Sequence, residues 1–328
     1  MRFKPQLLTG LEILQQRDRL SIKEQQALMR IQKGYQGELI FDRLFTAIVA
    51  EKVEFLDDIE IEFEGNRMQM DKIVASGDML ALIDIKNYQG NYYYDRQGLK
   101  IGNTLFAQDC FEQARRSRRI VERLFKKHGV TMRVVNIIIF INEEGSITIN
   151  DEINEVVLNY DEIPQWLLQL KKQADLPQMK NWQQLLLQYQ PSFYKAENLC
   201  NPRRLLTLKK GICCVKCGSF DLRQERYKLQ CRKCGYQEVK RVSYYRTIKE
   251  YGILIYPVPI KRKEVVTFFG KNYSESTIKT LLSEYFEPLD FSIKDGRYKN
   301  DGQTFERLIF KNKKYFEQLN GRMNWKSS

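Results

Sequence analysis

The sequence predicts an α/β protein, a sheet with helices packed on it, followed by a compact cysteine module and a small basic α+β segment. Three observations carry this reading. Between residues 68 and 141, two strand patterns, the start of a third, a long amphipathic helix and a buried apolar strand follow one another, an order that makes a sheet flanked by helices. Of the seven cysteines, five crowd into residues 213–234. The charge is also split: residues 201–328 hold 28 basic and 13 acidic residues, a balance of +15, while residues 1–200 sit at −2.

The chain of 328 residues is 43% hydrophobic, enough to fill ordinary cores and too much for wholesale disorder. At about 100–200 residues per domain, two or three domains are expected. No apolar run approaches the roughly 18 residues of a membrane-spanning helix. The opening MRFKPQLLTG has no apolar core before a small-residue cleavage site, so a cytoplasmic, membrane-free protein is expected. A near-neutral body joined to a strongly basic region suggests that one part acts while the other holds a polyanion.

Taken in order, residues 1–33 read as an N-terminal segment with one polar helix over 11–33, and a second helix runs from Gly37 to Ala50. Residues 34–160 form the α/β domain. MQMDKIVAS and MLALIDIKNY make two strands joined at Gly77-Asp78, and GNYYY begins another. Residues 107–127 make a helix with Cys110, Ala114, Ser117, Val121 and Leu124 as its buried stripe and Arg116, Arg119, Arg123 and Lys127 as a basic face. MRVVNIIIFI, short and β-branched, is a buried strand. Residues 161–205 read as a helical connector broken by Pro164, Pro177 and Pro191, residues 206–244 as the cysteine module, and residues 245–328 as the basic C-terminal domain.

The chemistry concentrates in residues 68–88. Side chains alternate along a strand, so Asp84 and Lys86 project to one face while Ile83 and Ile85 take the other. If the two strands pair as a hairpin, Asp71 comes near Asp84. Two converging carboxylates suit a hard cation such as Mg²⁺ or Mn²⁺. A neighbouring lysine can orient a water and stabilise charge growing on a phosphorus centre. An isolated acid-x-Lys would equally suit an ion pair at a strand end. Here the pair interrupts the apolar run MLALIDI, where charge is costly to bury without a partner. His128, the single histidine, stands where a helix C-terminal cap is expected, which argues against triad hydrolysis.

GYQGELIFDRLF, QMDKIVAS, ALIDIKNYQGNYY, DCFEQARRSRRIVERL and VVNIIIF together resemble the successive blocks of the nuclease-related domain family, NERD, over roughly residues 34–145. The resemblance implies a restriction-endonuclease-like mixed sheet of the PD-(D/E)xK type, a hydrolase acting on phosphodiester bonds. It points to Glu38, Asp71, Asp84, Lys86 and Gln113 as site residues. Two departures stand out: Asp84 replaces the family's usual glutamate, and Asp109-Cys110 replaces the Asn-Pro before Gln113.

Cys214-x2-Cys217-Gly and Cys231-x2-Cys234-Gly are two knuckles separated by thirteen residues. Each lets two thiolates hold one ion, and four thiolates suit structural zinc. The module resembles a zinc ribbon. Cys213 would break the symmetry and is left out. Arg223, Arg226 and Lys228 beside it suggest phosphate contacts. Beyond it, IKRKEVVTFFG and NYSESTIKTLLSEYF fit two helices, and the stretch Lys294 to Lys299 resembles the wing of a winged helix.

The expected function is metal-dependent cleavage of nucleic acid, DNA before RNA, with the ribbon and the basic C-terminal region binding the substrate. Paired cuts would favour a homodimer, though no motif demands one. The alternative is a nucleic-acid-binding or regulatory protein with a vestigial nuclease core. A ribbon protein of transcription-factor type is a third reading.

Overall fold

The structure, a computed structural model, describes residues 2–49, 52–106, 109–173, 181–191, 199–289 and 296–305. It contains two compact units, residues 1–2 with 31–194 and residues 3–30 with 195–328.

The opening helices divide differently from the expectation. Helix α1 (Gln6–Arg17) stops at Asp18, and α2 (Ile22–Ile48) then runs unbroken through Gly34 and Gly37. Ser21 and Glu24 explain the restart. The Ser21 amide donates to Glu24 Oε2 at 2.7 Å and the Glu24 amide to Ser21 Oγ at 3.3 Å, a capping box that begins a new helix. Each interior glycine costs about 1 kcal/mol, too little to stop a helix whose apolar side is packed.

In the first unit the chain continues as β1 (Glu54–Phe63), β2 (Asn66–Ser76), β3 (Met79–Lys86), β4 (Gly90–Asp95), β5 (Gly98–Ile101), β6 (Thr104–Leu105), α3 (Cys110–Lys127), β7 (Arg133–Phe140), β8 (Gly145–Ile149), β9 (Val156–Asn159), α4 (Ile163–Gln173) and α5 (Trp182–Leu187). The main sheet has the order β1-β2-β3-β7-β9, and a second sheet the order β6-β5-β4-β8. The main sheet is mixed: β1, β2 and β3 are antiparallel neighbours, while β3, β7 and β9 run parallel. The Gly77-Asp78 turn makes the expected tight reversal, with Ser76 opposite Met79 and Gly77 in the left-handed region at φ 59°, where glycine carries no penalty.

Each face of the main sheet has its own cover. On one, Val74, Ala81, Ile83, Ile85 and Ile139 pack with Phe41 and Phe45 of α2 and Leu167 and Leu170 of α4. On the other, Ile73, Leu80 and Leu82 pack with Ile120, Val121 and Leu124 of α3 and Trp182 of α5. The stretch expected to be a connector therefore supplies two core helices, because Leu167, Leu170, Trp182 and Leu186 are buried. Pro177 lies outside the described residues.

The second unit contains α1, α6 (Pro202–Thr207), β10 (Leu222–Gln224), β11 (Lys228–Cys231), β12 (Gln237–Val239), α7 (Lys240–Ile255), β13 (Ile260–Lys261), α8 (Arg262–Phe269), α9 (Glu275–Tyr285) and β14 (Arg297–Tyr298). Strands β10, β11 and β12 form an antiparallel sheet behind the cysteine knuckles. Helix α7 is buried almost throughout and carries charge inward. Arg17 donates to Glu250 Oε2 at 2.8 Å and to the carbonyls of Lys209 and Gly211. Arg246 pairs with Glu250 and Glu238 and donates to the Cys213 carbonyl at 2.8 Å. Buried charges persist when each finds such partners. Residues 294 and 295 of the expected wing lie outside the described residues, but β14 pairs with β13, and Pro288 bridges to Tyr298.

Candidate active site and metal centre

Asp71, Asp84 and Lys86 meet where the β2–β3 ladder ends. Lys72 opposite Ile83 is its final pair, so the next step sets Asp71 opposite Asp84. There the Asp71 side chain continues the ladder, its Oδ2 accepting from the Ile85 amide at 2.7 Å. Lys86 Nζ donates to Asp84 Oδ1 at 2.9 Å and stands 2.8 Å from Oδ2. Ile83 and Ile85 point into the α2 side of the sheet, so Asp84 and Lys86 share the opposite face, as alternation requires.

The electrostatics are those of crowded acids. Burial, then the charges of Asp84 and Glu38, push the Asp71 carboxyl up to about 8. Burial works against the Lys86 ammonium, yet Asp84 outweighs it and holds the pKa above the ordinary lysine value. Asp84 is buried, and the Lys86 ammonium faces both of its oxygens. A carboxyl pushed towards neutrality by a second buried carboxylate beside it is a donor set that a hard divalent cation would satisfy.

Glu38 reaches this neighbourhood because Gly37 brings α2 close. A Cβ on Gly37 would stand 2.8 Å from Asn87 Cβ and 2.9 Å from Ile141 Cγ2. Glu38 accepts from Arg2 Nη1 at 2.9 Å. Burial raises its pKa and Arg2 opposes the rise. Sequence reasoning missed this partner and the cluster around it. Arg2 also donates to Asp42 Oδ2 and to the Asp71 carbonyl, each at 2.9 Å. Lys72 is buried against Asp42 and Asp57 and lies over the rings of Phe45 and Phe55. The i, i+4 spacing of Glu38 and Asp42 on one helix face could have marked Asp42; no local pattern marks Arg2.

Gln113 is exposed on α3. The residue of that helix under Asp84's influence is Cys110, whose thiol burial and then Asp84 push up to about 12. Arg116, Arg119, Arg123 and Lys127 are exposed as expected, with Arg123 paired to Glu64 and Lys127 Nζ 5.2 Å from the Phe63 ring centre. His128 caps α3 and lies 2.7 Å from the Tyr189 hydroxyl.

The four predicted cysteines converge. Their sulfurs lie within 4.8 Å of one another, with Cys214–Cys234 at 3.6 Å and Cys217–Cys231 at 3.5 Å. Tetrahedral Zn–S bonds of about 2.3 Å place sulfurs about 3.8 Å apart, so the set fits a metal ion. The knuckles repeat one design: Gly218 N donates to Cys214 O at 2.8 Å and Gly235 N to Cys231 O at 2.9 Å. Cys213 instead donates to Gln16 Oε1 at 3.0 Å. Among the described residues this is the one such His/Cys/Asp/Glu group; Glu38, Asp71 and Asp84 are not drawn that close. Arg223 and Arg226 are exposed on the ribbon, whereas Lys228 is tied to Gln237 at 2.7 Å.

Residues 33–141 match the family model of the nuclease-related domain, which spans the α/β body from mid-α2 to the end of β7. No curated protein matches the chain. One solved structure, the small subunit (R.BspD6I2) of the heterodimeric restriction endonuclease R.BspD6I, aligns over 56% of this chain and 86% of its own, with 12% identity and a TM-score of 0.24. Among the described residues no helix is long and apolar enough to cross a membrane.

Proposed function

We propose that the chain is a metal-dependent nuclease of the PD-(D/E)xK type, cutting phosphodiester bonds in nucleic acid, most readily DNA, in the cytoplasm. The observation that carries the reading is Asp71 opposite Asp84 with Lys86 on the same face, inside the segment that matches the nuclease-related domain. Asp71 and Asp84 would hold Mg²⁺ or Mn²⁺. A cation bound there polarises a phosphoryl oxygen and lowers the pKa of a water. Lys86 holds the Asp84 carboxylate and presents its remaining N–H donors to the attacking water or a phosphoryl oxygen. Glu38, steadied by Arg2, orients water. The exposed arginines of α3 and of the ribbon contact the phosphate backbone. Gln113 stands farther out as a substrate contact. Zinc on the four cysteines is structural, because all four ligand positions are closed, and cutting both strands would suit a homodimer.

The test is wild type against Lys86→Ala on supercoiled plasmid and linear DNA with Mg²⁺, with Mn²⁺ and with EDTA. Cation-dependent cutting, at least about a hundredfold slower in the variant, is expected. A second reading, a binding protein with a vestigial core, draws on the engagement of Lys86 by Asp84 and of Glu38 by Arg2. Binding by both proteins with no cutting of DNA or RNA would establish it.

A further inference from the structure

The last part of the second unit has an order of elements that the nuclease reading leaves unused. Helix α7 leads through β13 into α8, a short turn containing Gly270 (φ 79°) follows, and α9 is capped by Ser274. After α9 the chain turns back along β14. The Leu289 amide donates to the Arg297 carbonyl at 3.1 Å and the Lys299 amide to the Glu287 carbonyl at 2.8 Å. Residues 287–289, β14 and β13 thus lie side by side, with Tyr298 between Pro288 and Ile260. Two helices joined by a glycine turn and followed by a small antiparallel sheet make a winged helix-turn-helix, in which the second helix is the reading element.

The faces of α9 agree. Ile278, Leu281 and Leu282 are buried, fixing the helix against the unit's core. The opposite face carries Ser276, Lys279, Thr280 and Ser283, all exposed and spaced i, i+3, i+4, i+7, so they form one stripe. It contains no apolar side chain that would seek a protein core, only three hydroxyls and an ammonium. Those are groups that meet base edges in the major groove, lysine at guanine O6 and N7 and hydroxyls at any base. Glu275 and Glu284 share the helix, and Glu284 is answered by Arg241. Lys263 on α8, Lys271 in the turn, Arg297 of β14 and Lys299 just after it, the last paired with Glu287 at 3.3 Å, are exposed, basic groups of the kind that meet phosphates.

We infer that α9 is a major-groove reading helix, so that this unit selects duplex DNA by sequence. Ser276, Lys279, Thr280 and Ser283 make the base contacts, and Lys299 makes a phosphate contact. The inference rests on nucleic acid being the partner, not on its being cut.

The full chain, loaded with zinc and without added magnesium, is mixed with duplexes randomised over about 20 base pairs, roughly two helical turns. The bound fraction is sequenced, and affinities are read by fluorescence anisotropy. The bound pool should be enriched in a motif. Lys279→Ala and Thr280→Ala should flatten that motif and weaken its duplex at least about fivefold, with unchanged circular dichroism. Lys299→Ala should weaken all duplexes alike and lower the salt slope by about one. A pool without sequence preference would overturn the inference. So would Lys279→Ala and Thr280→Ala variants that keep the wild-type motif and affinity, or a single strand that competes as well as duplex. Cleavage is not read, so a failure of the nuclease reading leaves this result standing, and the reverse holds.

Discussion

Asp71 and Ile85 are joined by a side chain where the ladder between their strands runs out: Asp71 Oδ2 takes the Ile85 amide at 2.7 Å. The bond satisfies an amide at the end of β3 and fixes the carboxylate against Asp84. The same carboxylate is opposed by burial and by Asp84 and Glu38. Acids crowded in a buried site destabilise the fold that holds them, even with Lys86 on Asp84 and Arg2 on Glu38.

Asp71→Asn should therefore raise the melting temperature of the cation-free protein, since the amide keeps an acceptor for Ile85 and loses the charge. Millimolar manganese should raise the melting temperature of wild type, by about 2.7 kcal/mol of stability at a hundred times the dissociation constant, and leave Asp71→Asn unmoved. Differential scanning calorimetry of both proteins with and without manganese checks this. Equal stabilisation of the two would remove Asp71 from the ligand set.

Gly37 and Gly34 sit on one helix three residues apart and should respond oppositely to alanine. A Cβ at Gly37 meets Asn87 and Ile141 below 3.0 Å, while at Gly34 nothing lies within 4 Å. Gly37→Ala should cost about 1–3 kcal/mol through overpacking, and Gly34→Ala should add up to about 1 kcal/mol through helix propensity. Urea unfolding of the two variants checks the sign of each. A neutral Gly37→Ala would mean that α2 is free to slide, and that Glu38 is not held where Arg2 finds it.

These residues show what the sequence could reveal. Alternation in MLALIDIK separates Asp84 and Lys86 from Ile83 and Ile85, and the cysteine spacing implies the thiolate set; both are local patterns with a fixed period. The buried stripe of α3 is local too, since Cys110, Ala114, Ser117, Val121 and Leu124 are all buried. Strands β1, β5, β6, β8 and β9 went unread: β1 (EFLDDIEIEF) mixes exposed acids at Glu54, Asp58 and Glu62 with half-buried ones at Asp57 and Glu60, and the others are two to five residues long. Arg2 was illegible because its partners lie 36 to 69 residues away. The exposure of Gln113 was hidden by the family pattern, which fixes a position in sequence and not the side of the helix that Cys110 takes.

One ion per chain should be found in the cysteine module. Co²⁺ substitution should give the absorption of a tetrahedral thiolate site in wild type and in Cys213→Ser, because Cys213 is engaged by Gln16 outside the set. Cys217→Ser should lose it. Loss of the cobalt spectrum in Cys213→Ser would place Cys213 among the ligands and displace Cys214.

Glu250 should make the second unit acid-sensitive. Burial pushes its carboxyl up, but Arg246 and then Arg17 outweigh it and hold its pKa below the ordinary value. A depressed carboxylate contributes stability that is fully present above the unfolded pKa of about 4.3 and is lost as pH falls through the lower folded value. Glu250→Gln should cost about 3–5 kcal/mol at pH 7, because Arg17 and Arg246 stay buried with too little negative charge. The gap between wild type and variant should hold from pH 7 to about 5 and close below about 4. Urea unfolding of both proteins across that range measures it, and the comparison cancels any acid lability of the thiolate site, which both share. A gap that stays constant down to pH 3 would show that folding does not shift the Glu250 pKa and that its hydrogen bonds, not its charge, hold the two arginines.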